Sequence, residues 1–303
     1  MHLFRPLTLG RHQIPNRIAM SALPSGYATP DGFISAAFSA YYEERARNGA
    51  GLLVLEAACA MPLPEGQPHV GLYADAYVPN LRQCIRAIDQ HGAVVLVTID
   101  QQLDALDRSP AELEGIAEAW VAAAWRVHAA GAAGVMLSCA DNGPFDQLLS
   151  PQANRRTDAY GGNPNNRMRL LMEVIERVAR RMGERLVIGV RLNVGEFTPA
   201  GLTTQDARVL AKRLVGAGVG LLEISSEVHG DTPVARFPGW RVPLAQSIKA
   251  VVDVPVMVGG LLADAELADS VIRDGSVDLV ALGESLRAEP RWPQYARHAL
   301  NNH

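Results

Sequence analysis

Short, nearly continuous apolar runs alternate along the chain with longer segments in which apolar positions recur every three to four residues. The short runs read Arg17–Ser21, Gly51–Glu56, Ala93–Thr98, Gly134–Ser138, Leu186–Arg191, Gly220–Ser225, Val254–Gly259 and Val277–Gly283. Continuous apolar strands suit a parallel sheet covered on both faces. Between them, Ala111–Ala130, Arg167–Met182, Thr204–Ala217, Pro243–Val251 and Asp264–Asp274 carry helical spacing. Helices run into the next strand through glycine, as at His91-Gly92, Ala130-Gly131 and Asp274-Gly275, which suits a left-handed C-cap. Eight such units in succession predict a closed (β/α)8 (TIM) barrel. An open doubly wound sheet is the rival, but no G-x-G-x-x-G follows the first strand. Leu3–Arg17, with turn residues Gly10 and Pro15, reads as a short N-terminal hairpin or arm closing the bottom of the barrel. No linker or low-complexity stretch intervenes, so residues 1–303 are expected to form one domain.

Composition narrows the function classes. Of 303 residues, 48% are apolar and 20% charged, with a net charge of −4 and scattered basic residues. That pattern gives no footprint for nucleic acid or an anionic membrane. No apolar stretch has the length of a membrane span, and the N-terminus lacks the run of a signal peptide. Cys59, Cys84 and Cys139 form an odd set without C-x-x-C spacing, which argues for a reducing compartment. The expectation is a cytoplasmic protein acting on a small molecule. No His, Cys and carboxylate spacing suggests a metal.

Barrel chemistry sits at the C-terminal ends of the strands. That rule nominates Ser21 to Pro24, Glu56, Thr98 to Gln101, Ser138 to Asn142, Arg191, Asn193, Ser225 to His229, Gly259-Gly260 and Gly283-Glu284. The bland reading of any one is a cap on a turn between strand and helix.

After the fourth strand comes Asp146-Gln147-Leu148-Leu149-Ser150-Pro151, then Asn154-Arg155-Arg156-Thr157-Asp158-Ala159-Tyr160-Gly161-Gly162 and Asn166-Arg167. This resembles the signature loop of the Old Yellow Enzyme family. Leu3-Phe4-Arg5-Pro6-Leu7, Asn16-Arg17-Ile18-Ala19-Met20 and Pro290-Arg291-Trp292-Pro293 resemble the family's opening and last helix, so the likeness spans essentially the whole chain. Asp100–Pro110 is shorter than the family's usual excursion. In its bottom-up reading the loop is structural: Arg156 and Asp158 can pair, and Arg167 opens the next helix.

The resemblance implies FMN over the strand ends, hydride from NAD(P)H and reduction of an activated alkene. Transferred residue by residue, Gly259 and Gly260 match the phosphate-binding turn. Gly283 matches the glycine of a Gly-Arg pair, with Glu284 in place of the arginine. Thr98 stands for a flavin-binding glutamine, and Ala22, Leu23 and Pro24 stand for a segment often reading P-M-T or P-M-C. Arg191 matches an arginine at the flavin's N1/O2 edge. Ser138 and Asp141 occupy the positions of a carbonyl-binding histidine pair, and Gly143 that of a proton-donating tyrosine, for which Tyr27 is a candidate substitute from the first strand whose bland and favoured reading is packing.

So many replacements favour an enzyme that keeps the barrel without a cofactor. It would run acid/base chemistry (isomerisation, dehydration or cyclisation) on a small metabolite, with Asp141 as acid or base and Ser138 and Arg191 orienting an oxygen. Asp100, Glu56, Glu284 and His229 complete its pocket, and Cys139 is a weaker nucleophile candidate whose bland reading is a core thiol. One alternative is a non-standard FMN-dependent NAD(P)H oxidoreductase of the ene-reductase type. Another is a non-catalytic binding subunit. A homo-oligomer is compatible with the resemblance.

Overall fold

A computed structural model describes residues 1–226 and 236–301. Eight parallel strands close into a barrel: β1 (Ile18–Met20), β2 (Leu52–Cys59), β3 (Val94–Ile99), β4 (Gly134–Cys139), β5 (Val187–Asn193), β6 (Leu221–Ser225), β7 (Val256–Val258) and β8 (Leu279–Ala281). Each strand pairs with the next in parallel register, and β8 returns to β1 through Val280 opposite Ile18. The (β/α)8 expectation holds.

Side chains alternate across a strand, so each strand divides its residues between two cores. Ala19, Leu52, Val54, Leu96, Met136, Leu221, Met257 and Leu279 fill the barrel interior. Their neighbours Ile18, Leu53, Val95, Val135, Ile188, Leu222, Val256 and Val280 face the surrounding helices. This double burial explains why the strands read as unbroken apolar runs. Leu7–Leu9 and His12–Ile14 form the expected antiparallel hairpin, and Leu9 and Ile14 join the interior cluster as a plug.

The outer layer contains α1 (Ala36–Arg47), α2 (Val78–Asp89), α3 (Pro110–Ala130), α4 (Arg169–Met182), α5 (Thr204–Gly216), α6 (Val242–Lys249), α7 (Ala265–Arg273), α8 (Gly283–Ala288) and α9 (Trp292–Asn301). The boundaries follow local chemistry. A capping box of Ser109 and Glu112 starts α3 and Gly131, at φ 97°, ends it. The signature segment is less irregular than its turn residues suggest, because Pro144–Leu149 and Pro164–Arg167 are short helices. Asp146 and Gln147 on the first of these tie down the loop after β4. Arg156 does pair with Asp158, at 2.5 and 3.1 Å. No helix among the described residues is long and apolar enough to cross a membrane.

Candidate active site

The alternation that fills the interior with Leu and Met turns polar at the strands' C-terminal ends. In register, Ser138 on β4 faces Arg191 on β5, which faces Glu223 on β6. Arg191 is the hub. Its Nη1 donates to Glu223 Oε1 at 3.0 Å, its Nη2 to Ser225 Oγ at 3.4 Å, and its Nε lies 3.4 Å from Asp141 Oδ2. Glu223 is 2% exposed, so the half-buried Arg191 pairs with a buried carboxylate within the barrel. Glu223 was not foreseen, although a lone carboxylate inside the run Gly220–Ser225 was a visible signal.

Asp100 follows β3 and is buried. Its Oδ1 accepts from the Gln101 backbone N–H at 2.8 Å. Burial is the main cause that pushes its carboxyl up to about 7; the charge of Asp141 adds to this, while the Gln101 N–H, the Ser138 hydroxyl and Arg191 oppose it. Gly143 makes this placement possible, because a Cβ there would lie 2.7 Å from Asp100 Oδ1.

Asp141 sits differently from its neighbours. Its side chain is 58% exposed and turned to Arg191. Asp141 and Asn142 both have φ 59°, a conformation uncommon outside glycine. Asp146 Oδ2 accepts from the Asn142 N–H, and Gln147 Nε2 donates to the Asn142 carbonyl, so the signature residues hold this turn.

Asp100, Ser138, Asp141 and Arg191 are therefore brought together. Tyr27 is not part of that group: its ring is exposed and packs against Tyr41 at 5.8 Å. Glu56 is buried within β2, at its bulge between Leu55 and Ala58, and accepts from the Ser25 N–H at 2.5 Å. Burial raises its pKa. Cys139 points to the helical layer and is wholly buried, which pushes its thiol up and bears out the core reading over the nucleophile. His229 lies outside the described residues.

Beside Arg191 opens a cavity of about 490 Å³, within the range of small-molecule sites. Ser21, Leu23, Gly259, Gly260, Leu282 and Gly283 line it, together with Arg191, Arg236, Trp240 and Arg241. Gly259 and Gly260 are half-buried and Gly283 is buried. A Cβ at Gly283 would meet Leu23 Cδ1 at 2.8 Å, and Gly260 has φ 115°. Ala22 packs on the interior cluster, whereas Pro24 is exposed. Thr98 is buried, and its Oγ1 has no hydrogen-bond partner among the described residues. Glu284, expected to confront a phosphate, is 69% exposed and pairs with Arg287 at 2.6 Å. Arg236, Trp240 and Arg241 were missed by the strand-end rule because they approach from beyond the loop after β6. The segment Gly239-Trp240-Arg241, just ahead of Pro243, was the available signal.

The chain matches the model of the NADH:flavin oxidoreductase / NADH oxidase family over residues 2–106 and 103–303. It is 32% identical to an NADH oxidase of Thermoanaerobacter brockii, covering 99% of this chain but 51% of that protein, and so spans about half its length. It is 30% identical to an NADPH dehydrogenase of Geobacillus sp. (strain WCH70), covering 98% of this chain and 94% of that one. A morphinone reductase in complex with tetrahydroNAD superposes with TM-score 0.81 at 26% identity, over 99% and 91% of the two chains. A 2-naphthoyl-CoA reductase superposes with TM-score 0.90 over 98% of this chain and 52% of that one; at 21% identity this likeness is one of fold. These matches correct the expectation of an enzyme without a cofactor. The matched family is one of flavin oxidoreductases that use NAD(P)H, and flavin-independent acid/base chemistry gives way to that class.

Proposed function

The chain belongs to the NADH:flavin oxidoreductase / NADH oxidase family, and from that premise we propose that it is an FMN-dependent NAD(P)H oxidoreductase that reduces an electron-poor alkene. The observation that carries this reading is the cavity at the barrel mouth. It combines glycines at 259, 260 and 283 with the guanidinium groups of Arg191, Arg236 and Arg241, the donor set a phosphate ester needs, beside the Arg287-paired carboxylate of Glu284. Glycine backbone after β7 and β8 would hold the phosphate end. Leu23 and Arg191 would border the ring, with Arg191 donating to its electron-rich edge. When bound, FMN supplies a site that takes hydride from NAD(P)H and passes it to the alkene.

The protein's own contribution is electrostatic and protonic. Arg191 is kept in one orientation by Glu223, Ser225 and Asp141, so its charge is pre-set rather than reorganised during turnover. Asp100 Oδ1 and Oδ2 occupy the space that Gly143 leaves free, and Ser138 lies beside them. With a carboxyl pushed up to about 7, Asp100 is half protonated near neutral pH and is suited to deliver the proton that completes alkene reduction.

The test is to purify the full chain after expression with riboflavin and record its absorbance. Flavin bands, FMN released on denaturation and NAD(P)H oxidation driven by 2-cyclohexenone would support the reading. A colourless protein that takes up no added FMN would sink it.

A further inference from the structure

The position where the resemblance places a phosphate-facing arginine holds Glu284, which lines the same cavity with its carboxylate paired to Arg287 at 2.6 Å. We propose that Arg241, delivered from the turn ahead of α6, faces the FMN phosphate in its stead. This rests on the flavin reading above and assigns its phosphate contact to a different element of the barrel.

Three observations converge on Arg241. It lines the same cavity as Gly259, Gly260 and Gly283. Its stem is rooted on the glycine turn itself: a Cβ at Gly260 would lie 3.3 Å from Arg241 Cβ, and the Gly239 N–H donates to the Gly260 carbonyl at 2.8 Å. The two turns therefore form one unit, with glycine backbone on one side and a guanidinium on the other.

The guanidinium is also held in place from behind. Nη2 donates to the Ser226 carbonyl at 3.1 Å, and the Trp240 ring lies 4.7 Å from Cζ. Nε is buried and has no hydrogen-bond partner among the described residues. A buried N–H of a charged group without an acceptor is costly. Burial is the main cause that disfavours the Arg241 charge, and the nearby Arg191 guanidinium adds to it. A dianion seated beside Arg236 and Arg241 offsets that loss of charge, and a planar guanidinium is shaped to bind it.

FMN and riboflavin share ring and ribityl chain and differ in the phosphate, so the pair isolates this contact. The full-length apoprotein and its Arg241→Met variant would be titrated with each by flavin fluorescence. For the variant, FMN affinity should fall about 10- to 100-fold, the range of one charged hydrogen-bonding contact, while riboflavin affinity changes less than about threefold. Adding Glu284→Arg to Arg241→Met should restore preference for FMN, which a misfolded variant would not. Equal loss for both flavins, or no loss for FMN, overturns the assignment while leaving the flavin reading intact. Failure of the unsubstituted protein to bind FMN overturns both.

Discussion

The Asp100 carboxylate lies where a side chain at Gly143 would begin: its Oδ1 is 2.7 Å from the point an added Cβ would occupy. The side chain that the resemblance would place at 143 and the carboxylate of Asp100 therefore compete for one volume. The backbone of Gly143 is ordinary, with φ −70°, so an alanine there is limited by space rather than conformation. Gly143→Ala should therefore act through Asp100. It should cost about 1–3 kcal/mol, as overpacking does, when followed by urea denaturation at pH 8. Introducing Asp100→Ala in the same chain should remove most of that cost.

Asp100 also sets a pH dependence. Its folded carboxyl titrates at about 7 because burial disfavours the charge, well above the ordinary carboxylate range. Between those two values the native state holds a proton that the unfolded chain has lost. Stability is then highest on the acid side and falls as pH rises towards 7, by at most roughly 1.4 kcal/mol per pH unit. Asp100→Asn carries no such titration. Its stability relative to the unsubstituted protein should rise between pH 5 and pH 8, measured by denaturation at each pH. A parallel pair of pH profiles would remove Asp100 as the buried acid. In turnover the same variant should lose about 10²- to 10⁴-fold in alkene reduction, the usual contribution of a positioned proton donor.

Arg191 and Glu223 make a prediction that separates a pair from its members. Glu223 is 2% exposed, and its Oε1 accepts from Arg191 at 3.0 Å. Arg191→Met would leave a carboxylate in the barrel without its partner, which typically costs 3–5 kcal/mol, about that much being expected here. Replacing both, as Arg191→Met with Glu223→Gln, should recover at least half of the loss. Thermal or urea unfolding of the two single variants and the double variant would reveal the coupling, and additive losses would contradict it.

Sequence legibility followed sequence distance. The barrel was readable because each strand is buried on both faces, so Val135 and Met136 both had to be apolar although they face different cores. Arg191 and Asp141 were readable because they stand at strand ends, where barrel chemistry collects. The relation of Gly143 to Asp100 was not, since it joins two loops whose approach only the closed sheet determines. Arg241 was hidden for the same reason, because its value lies in the contact between its stem and Gly260. The cofactor expectation failed because each replaced position was weighed singly, from Thr98 through Ser138, Asp141 and Gly143 to Glu284, whereas at the last of these a guanidinium reaches the same cavity from another turn.

The two adjacent glycines of the signature loop should respond differently to alanine, because each is required for its own reason. At Gly161 an added Cβ would run into the Arg156 carbonyl, a backbone atom that cannot rotate aside. Arg156 is itself fixed by its pairing with Asp158 and by donating to the carbonyls of Leu106 and Arg108, both at 2.6 Å. The clash would therefore spread into the segment ahead of α3. At Gly162 nothing lies within 4 Å, but φ is 80°, so the penalty is the conformational one of placing a side chain in the left-handed region. Gly162→Ala should cost about 1 kcal/mol, and Gly161→Ala about 3 kcal/mol, at the upper end of overpacking. Denaturant unfolding of both variants would check the order. Limited proteolysis should show Gly161→Ala, and not Gly162→Ala, exposing the chain around residues 104–110.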